Sequence, residues 1–121
     1  MNKKLWLVKM PQLTIIGFVL LNILAMLAYS GGTLHNTEII GYSFFNNFLS
    51  DLGRFISWNG NHNFYSNLFF NSSMIITGII LSIFFINLRT IFNLYKGFLY
   101  WLAIIGTIAG IAGAYSMVGV G

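Results

Sequence analysis

The sequence predicts an all-α, multi-pass transmembrane protein with three spanning helices and a short amphipathic helix in its outer loop. Three observations carry that expectation. Of the 121 residues, 57% are hydrophobic and only 7% charged, against roughly 25% charged in ordinary soluble domains. Three apolar runs, at residues 12–29, 68–88 and 98–120, are long enough to cross a hydrocarbon core, which takes about 20 helical residues. Most of the basic residues lie beside these runs, and no charged residue lies in the middle of one.

Length limits the chain to a single domain, residues 1–121. The first span is the shortest, and Pro11 at its start suits a first helical turn, where a missing N–H has no intrahelical partner to lose. A cleaved signal peptide is the competing reading of this run, with Lys3 and Lys4 as its charged flank and Ala28-Tyr29-Ser30 as a small-x-small site. The run exceeds the usual apolar length of such peptides, and no soluble domain follows it.

Lys3, Lys4 and Lys9 precede the first run, and Arg89 and Lys96 bracket the short connection between the second and third. The long connection holds Glu38, Asp51 and Arg54. The positive-inside rule then places the N-terminus and the 89–96 turn in the cytoplasm, and the loop 30–67 and the C-terminus outside a cell membrane. Trp6, Tyr29, Tyr65, Tyr95, Tyr100 and Trp101 fall at the expected interfaces. The formal charge of +4 is spread beside apolar runs without the clustered, aromatic-interleaved pattern of a nucleic-acid binder, so membrane lipid is the expected partner and nucleic acid is not. Without cysteine there are no disulfides and no thiolate chemistry, and no cofactor motif is present.

In the outer loop, Tyr42 to Trp58 places Phe44, Phe45, Phe48, Leu49, Leu52, Phe55 and Ile56 at helical spacing, opposite Asn46, Asn47, Ser50, Asp51 and Arg54. This predicts an amphipathic helix on the outer surface, ending or kinking near Gly53. Asn59-Gly60 then marks a turn that needs positive φ.

Helix packing is expected along two kinds of strip. Ala103, Gly106, Gly110, Gly113 and Ala114 form a stripe of small residues in the third run, suited to close packing within the chain or, through Gly106 and Gly110, to a homo-oligomer or partner helices. Asn67, Asn71, Gly78 and Ser82 in the second run, and Asn22, Ala25 and Tyr29 in the first, should face one another, because buried amides need partners.

Chemistry-bearing residues are sparse. Ser50 and Asp51, with His62, are candidates for a catalytic site, and His35-x-x-Glu38 has a spacing that would present two metal ligands on one helical face. The plainer reading makes His35, Glu38 and His62 solvated loop residues. It also gives Ser50 and Asp51 local hydrogen bonds to free backbone groups, with Asp51 pairing with Arg54.

The run Asn47-Phe48-Leu49-Ser50-Asp51-Leu52-Gly53, followed by Asn59-Gly60, Asn63, Ser66, Phe69, Asn71 and Gly78, resembles the front half of the membrane family catalogued as domain of unknown function 998, distantly similar to Frag1/DRAM-type membrane proteins. Ser50-Asp51-Leu52-Gly53 is the specific core of the resemblance, which extends over residues 10–121. It implies a helical membrane architecture but no particular reaction. Members typically have more spanning helices than the three read here, and Gly119-Val120-Gly121 closes the last run without a polar flank, so the sequence also fits a fragment of a longer chain.

Three functions remain open: a non-enzymatic structural, sensory or lipid-interacting membrane component; a membrane-embedded hydrolase or lipid-modifying enzyme with an outer-face site; and half of a transporter-like assembly completed by further helices.

Overall fold

The computed structural model describes residues 2–92 and 96–120, with side chains through Ser116. Among these residues the regular structure is helical, with no strand beyond two isolated β-bridges. A wide helical turn at Leu5–Lys9 leads into α1 (Met10–Ala28), and α2 (Phe64–Phe92) and α3 (Phe98–Val120) follow. All three helices are long and apolar enough to cross a membrane.

The first helix begins earlier than its apolar run, and Pro11 lies inside continuous helix. The wide turn explains how. Met10 donates its N–H five residues back, to the Leu5 carbonyl, and such widened turns relieve the clash between a proline ring and the carbonyl four residues before it. α2 also exceeds its run at both ends, which puts Arg89 in its last turn. Asn93, Leu94 and the expected interface residue Tyr95 lie outside the described residues, as do the side chains of Met117, Val118 and Val120 and all of Gly121.

The chain divides into two compact units, Phe18–Ser73 and the pair of segments Met1–Gly17 and Met74–Val120. In the second of these, α3 meets α2 at Gly110: a Cβ there would run into the Phe85 ring. Thr107 and Ala114, three and four residues to either side, are buried. Gly106 and Gly113 differ from the expectation, since a Cβ at either would meet nothing within 4 Å. Only one glycine of the predicted pair packs, because the small-residue stripe wraps partly off the contact face.

In the Phe18–Ser73 unit, Asn22 of the α1 strip donates from Nδ2 to Ser73 Oγ at 3.1 Å, a residue outside the expected α2 strip. Among the described residues no hydrogen bond joins the two expected strips. Asn67 turns to the loop between α1 and α2, and Ser82, in the other unit, donates to the Gly78 carbonyl of its own helix. The Asn22 Oδ1 atom is buried without a donor.

The amphipathic helix expected over Tyr42–Trp58 does not form. The segment folds as a turn at residues 44–46 followed by one five-residue 3₁₀ turn, Leu49–Gly53, with extended backbone at Phe48 and Arg54 on either side. The burial pattern is mixed: Leu52 is fully buried and Asn46, Ser50 and Arg54 are exposed, as an amphipathic helix would have them, but other positions are exchanged. Asn47 and Asp51 are inside, whereas Phe44, Phe45, Phe48 and Phe55 are exposed. Helix continuation is blocked because the carbonyls it needs, those of Leu52, Gly53 and Arg54, accept hydrogen bonds from α2 side chains or the residue that precedes it.

Candidate functional site

The loop between α1 and α2 is organised around two buried side chains, Asp51 and Asn63. Asp51 lies in the 3₁₀ turn with its carboxyl 4% exposed at the residue level. Its Oδ2 accepts from Asn47 Nδ2 and from the Phe48 N–H, both at 3.0 Å, and its Oδ1 accepts from the Trp58 indole N–H at 3.0 Å. Every partner is a donor, so the carboxyl serves as a three-way acceptor tying the start of the turn to a point seven residues on. Asn47 extends the network. Its amide also donates to the Gly32 carbonyl at 2.8 Å, while its Oδ1 accepts the Ser43 N–H at 2.9 Å.

Asn63, immediately before α2, donates to the carbonyls of Leu52 and Arg54 at 3.2 and 3.0 Å and accepts the Ser30 N–H at 3.3 Å. Ser66 and Asn67, in the first turn of α2, donate to the carbonyls of Leu52 and Gly53 at 3.1 and 2.6 Å. The loop therefore rests on the start of α2 through its main chain. Gly53 permits this closeness, since a Cβ there would stand 2.8 Å from the Phe70 ring and 3.1 Å from Asn71 Oδ1.

Asn59 closes the far side, donating to the Ser30 carbonyl at 2.7 Å and accepting the Asn61 N–H at 3.0 Å. Within the turn that follows, Gly60 alone has positive φ, at 82°, which corrects the expectation that Asn59 shares it. Gly31 and Gly32 also have positive φ, at 123° and 84°, and a Cβ on Gly32 would collide with the main chain of Trp58 and Asn59. Glycine is required there both by conformation and by space.

The residues singled out for chemistry are not brought together. Ser50 is exposed and shares no hydrogen bond with Asp51, whose two oxygens are already engaged. His62 is exposed and takes part through its backbone carbonyl, which accepts from Ser30 Oγ at 2.6 Å. His35 and Glu38 are both exposed and lie in a non-helical loop closed by the Gly31–Ile40 bridge, so the three-residue spacing does not put them on one helical face. Among the described residues no three His, Cys, Asp or Glu side chains converge to hold a metal ion. Arg54 does not pair with Asp51. It donates from Nε to the Ile56 carbonyl, and its guanidinium carbon stands 3.9 Å above the centre of the Trp58 ring, a cation–π contact. Burial first, and the nearby Asp51 second, push the Tyr42 hydroxyl above its ordinary pKa.

Asn47, Asn59, Asn63 and Asn67 are the residues that sequence reasoning missed. Sequence spacing puts Asn47 on the solvent face, Asn59 and Asn63 in a turn, and Asn67 among buried amides facing another helix; the signal they share is the density of asparagine between positions 46 and 71, since an amide that both donates and accepts is suited to saturating buried main chain.

Comparisons with protein-family models, with curated proteins and with solved structures find no match to this chain.

Proposed function

We infer that the chain is a non-enzymatic component of a cell membrane, structural, sensory or lipid-interacting in role, with the segment from Ser30 to Asn63 as a preformed outer cap. The observation that carries this reading is the engagement of Asp51: all of its partners are donors from the cap's own loop, and the neighbouring Ser50 points away to solvent. Exposed Phe44, Phe45, Phe48 and Phe55 surround the cap, and aromatic side chains of this kind favour the membrane–water interface. The N-terminus and the connection between α2 and α3 are cytoplasmic in this reading, and the cap lies outside. The resemblance of residues 47–53 to the family of domain of unknown function 998 fits the same architecture.

Two measurements test it. The native chain contains no cysteine, so single replacements report topology without background. Glu38→Cys should react with an impermeant maleimide on intact cells, and Lys3→Cys only after permeabilisation. Asp51→Ala should lower stability in detergent by about 3 kcal/mol, because it strands buried donors, whereas Ser50→Ala should leave both thermal unfolding and abundance unchanged. A Ser50→Ala protein that folds normally but loses an in vivo phenotype retained by wild type would overturn the non-enzymatic reading.

A further inference from the structure

The unit formed by residues 1–17 and 74–120 contains an apolar groove of about 470 Å³ between the end of α2 and the start of α3. Phe85, Leu88, Leu99, Leu102, Gly106 and Thr107 line it. The one hydroxyl among these six is turned back on its own helix, since Thr107 Oγ1 donates to the Ala103 carbonyl at 2.8 Å. The groove therefore asks nothing polar of an occupant. Its floor is open at Gly106, where a Cβ would meet nothing within 4 Å. That glycine does not serve close helix packing; it leaves room.

Charge specifies the occupant. Lys3, Lys4, Lys9, Arg89 and Lys96 all belong to this unit, and both carboxylate side chains of the protein, Glu38 and Asp51, belong to the other. Arg89 is exposed and follows the lining residue Leu88 directly, four residues beyond Phe85 on the same helix. Lys96 is exposed three residues before Leu99. An apolar groove whose lining residues Leu88 and Leu99 have exposed cations one and three residues away in sequence matches a molecule with a hydrocarbon tail and an anionic head, and basic sites between transmembrane helices are used in this way for anionic lipid.

We propose that the groove between α2 and α3 holds one acyl chain of an anionic phospholipid, with Arg89 and Lys96 on its phosphate headgroup. The proposal rests on the membrane reading above. Alkaline carbonate treatment of native membranes checks that reading first: release of the chain into the supernatant overturns it, and retention leaves the groove to be judged on its own.

The deciding experiment is native mass spectrometry of the detergent-solubilised protein with phosphatidylglycerol or phosphatidylcholine of identical acyl chains. Wild type should retain one phosphatidylglycerol with a preference of about 30-fold, as expected for two basic side chains near a headgroup. Gly106→Leu, which fills the groove, should lose the lipid, while Gly113→Leu, at an equally open position that does not line it, should retain it. The double variant Arg89→Gln, Lys96→Gln, altered only at exposed positions, should bind the two lipids alike. Equal retention of both lipids by wild type would overturn the proposal, as would undiminished binding by Gly106→Leu. Displacement of the lipid by inorganic phosphate would reassign the site to a free anion. A species of twice the chain mass in place of the lipid adduct would assign the groove to a second copy.

Discussion

The two units use the same polar side chains in opposite ways. In Phe18–Ser73, Asn47, Asn59, Asn63, Ser66 and Asn67 reach carbonyls far away in sequence, such as those of Gly32, Ser30, Leu52 and Gly53. In the unit containing residues 74–116, Ser82, Asn87, Thr90, Thr107 and Ser116 donate to carbonyls three or four residues back in their own helices. Such local bonds satisfy a polar group that has no partner across a helix interface, and they fix no tertiary contact. The first unit is therefore tied together by side-chain bonds to distant main chain, whereas the five polar side chains named in the second bond only within their own helices, which is where slack such as the α2–α3 groove can persist.

The largest effect that would break this contrast is expected at Gly32. Gly32→Ala forces an L residue into positive φ against the main chain of Trp58 and Asn59; it should cost more than about 4 kcal/mol and strip hydrogen-exchange protection from the loop amides. Full protection in that variant would mean the loop is not held by its main chain.

In the other unit the expected effects are smaller and of opposite sign at neighbouring glycines. Gly110→Ala pushes on Phe85 and should lower the melting temperature in detergent, by about 1–3 kcal/mol of stability. Gly113→Ala fills open space in a helix and should be neutral or stabilising by up to about 1 kcal/mol. Equal losses at both would show that α3 packs on more than one face.

The smallest effect is a pH dependence. The Tyr42 pKa is raised in the folded protein, so its contribution to stability is intact below the ordinary tyrosine value of about 10 and falls as pH climbs through the folded value. Stability measured across that alkaline window should decline, and Tyr42→Phe should flatten the decline. An unchanged slope in the variant would remove Tyr42 from the cap's energetics.

The helices were legible because a membrane-length apolar run has few alternatives, and only their ends moved: the Leu5–Lys9 turn hid the early start around Pro11, and α2 ran on through Arg89. The loop was misread for a specific reason. Phe44, Phe48, Phe55 and their neighbours repeat with helical spacing, and that rule assumes the apolar side is the buried one. Here Asn47 and Asp51 are buried beside Leu52 while the phenylalanines are exposed, so the periodicity did not mark a buried helix face. The local, main-chain reading of Ser50 and Asp51 anticipated one bond, that from the Phe48 N–H to Asp51; the other two come from the Asn47 and Trp58 side chains, and Arg54 is not a partner. Partners 9 to 33 residues away, such as Arg54, Leu52 and Ser30 for Asn63, cannot be read from local spacing.

Because the loop between α1 and α2 is held through its carbonyls and a handful of amides, its exposed aromatic positions are uncoupled from its fold. Substitution at residues 44, 45 and 55 is expected to leave the loop folded, whereas substitution at Gly32, Asn47, Asp51, Gly53 or Asn63 is not. Selection can thus retune what this surface meets without redesigning the scaffold beneath it.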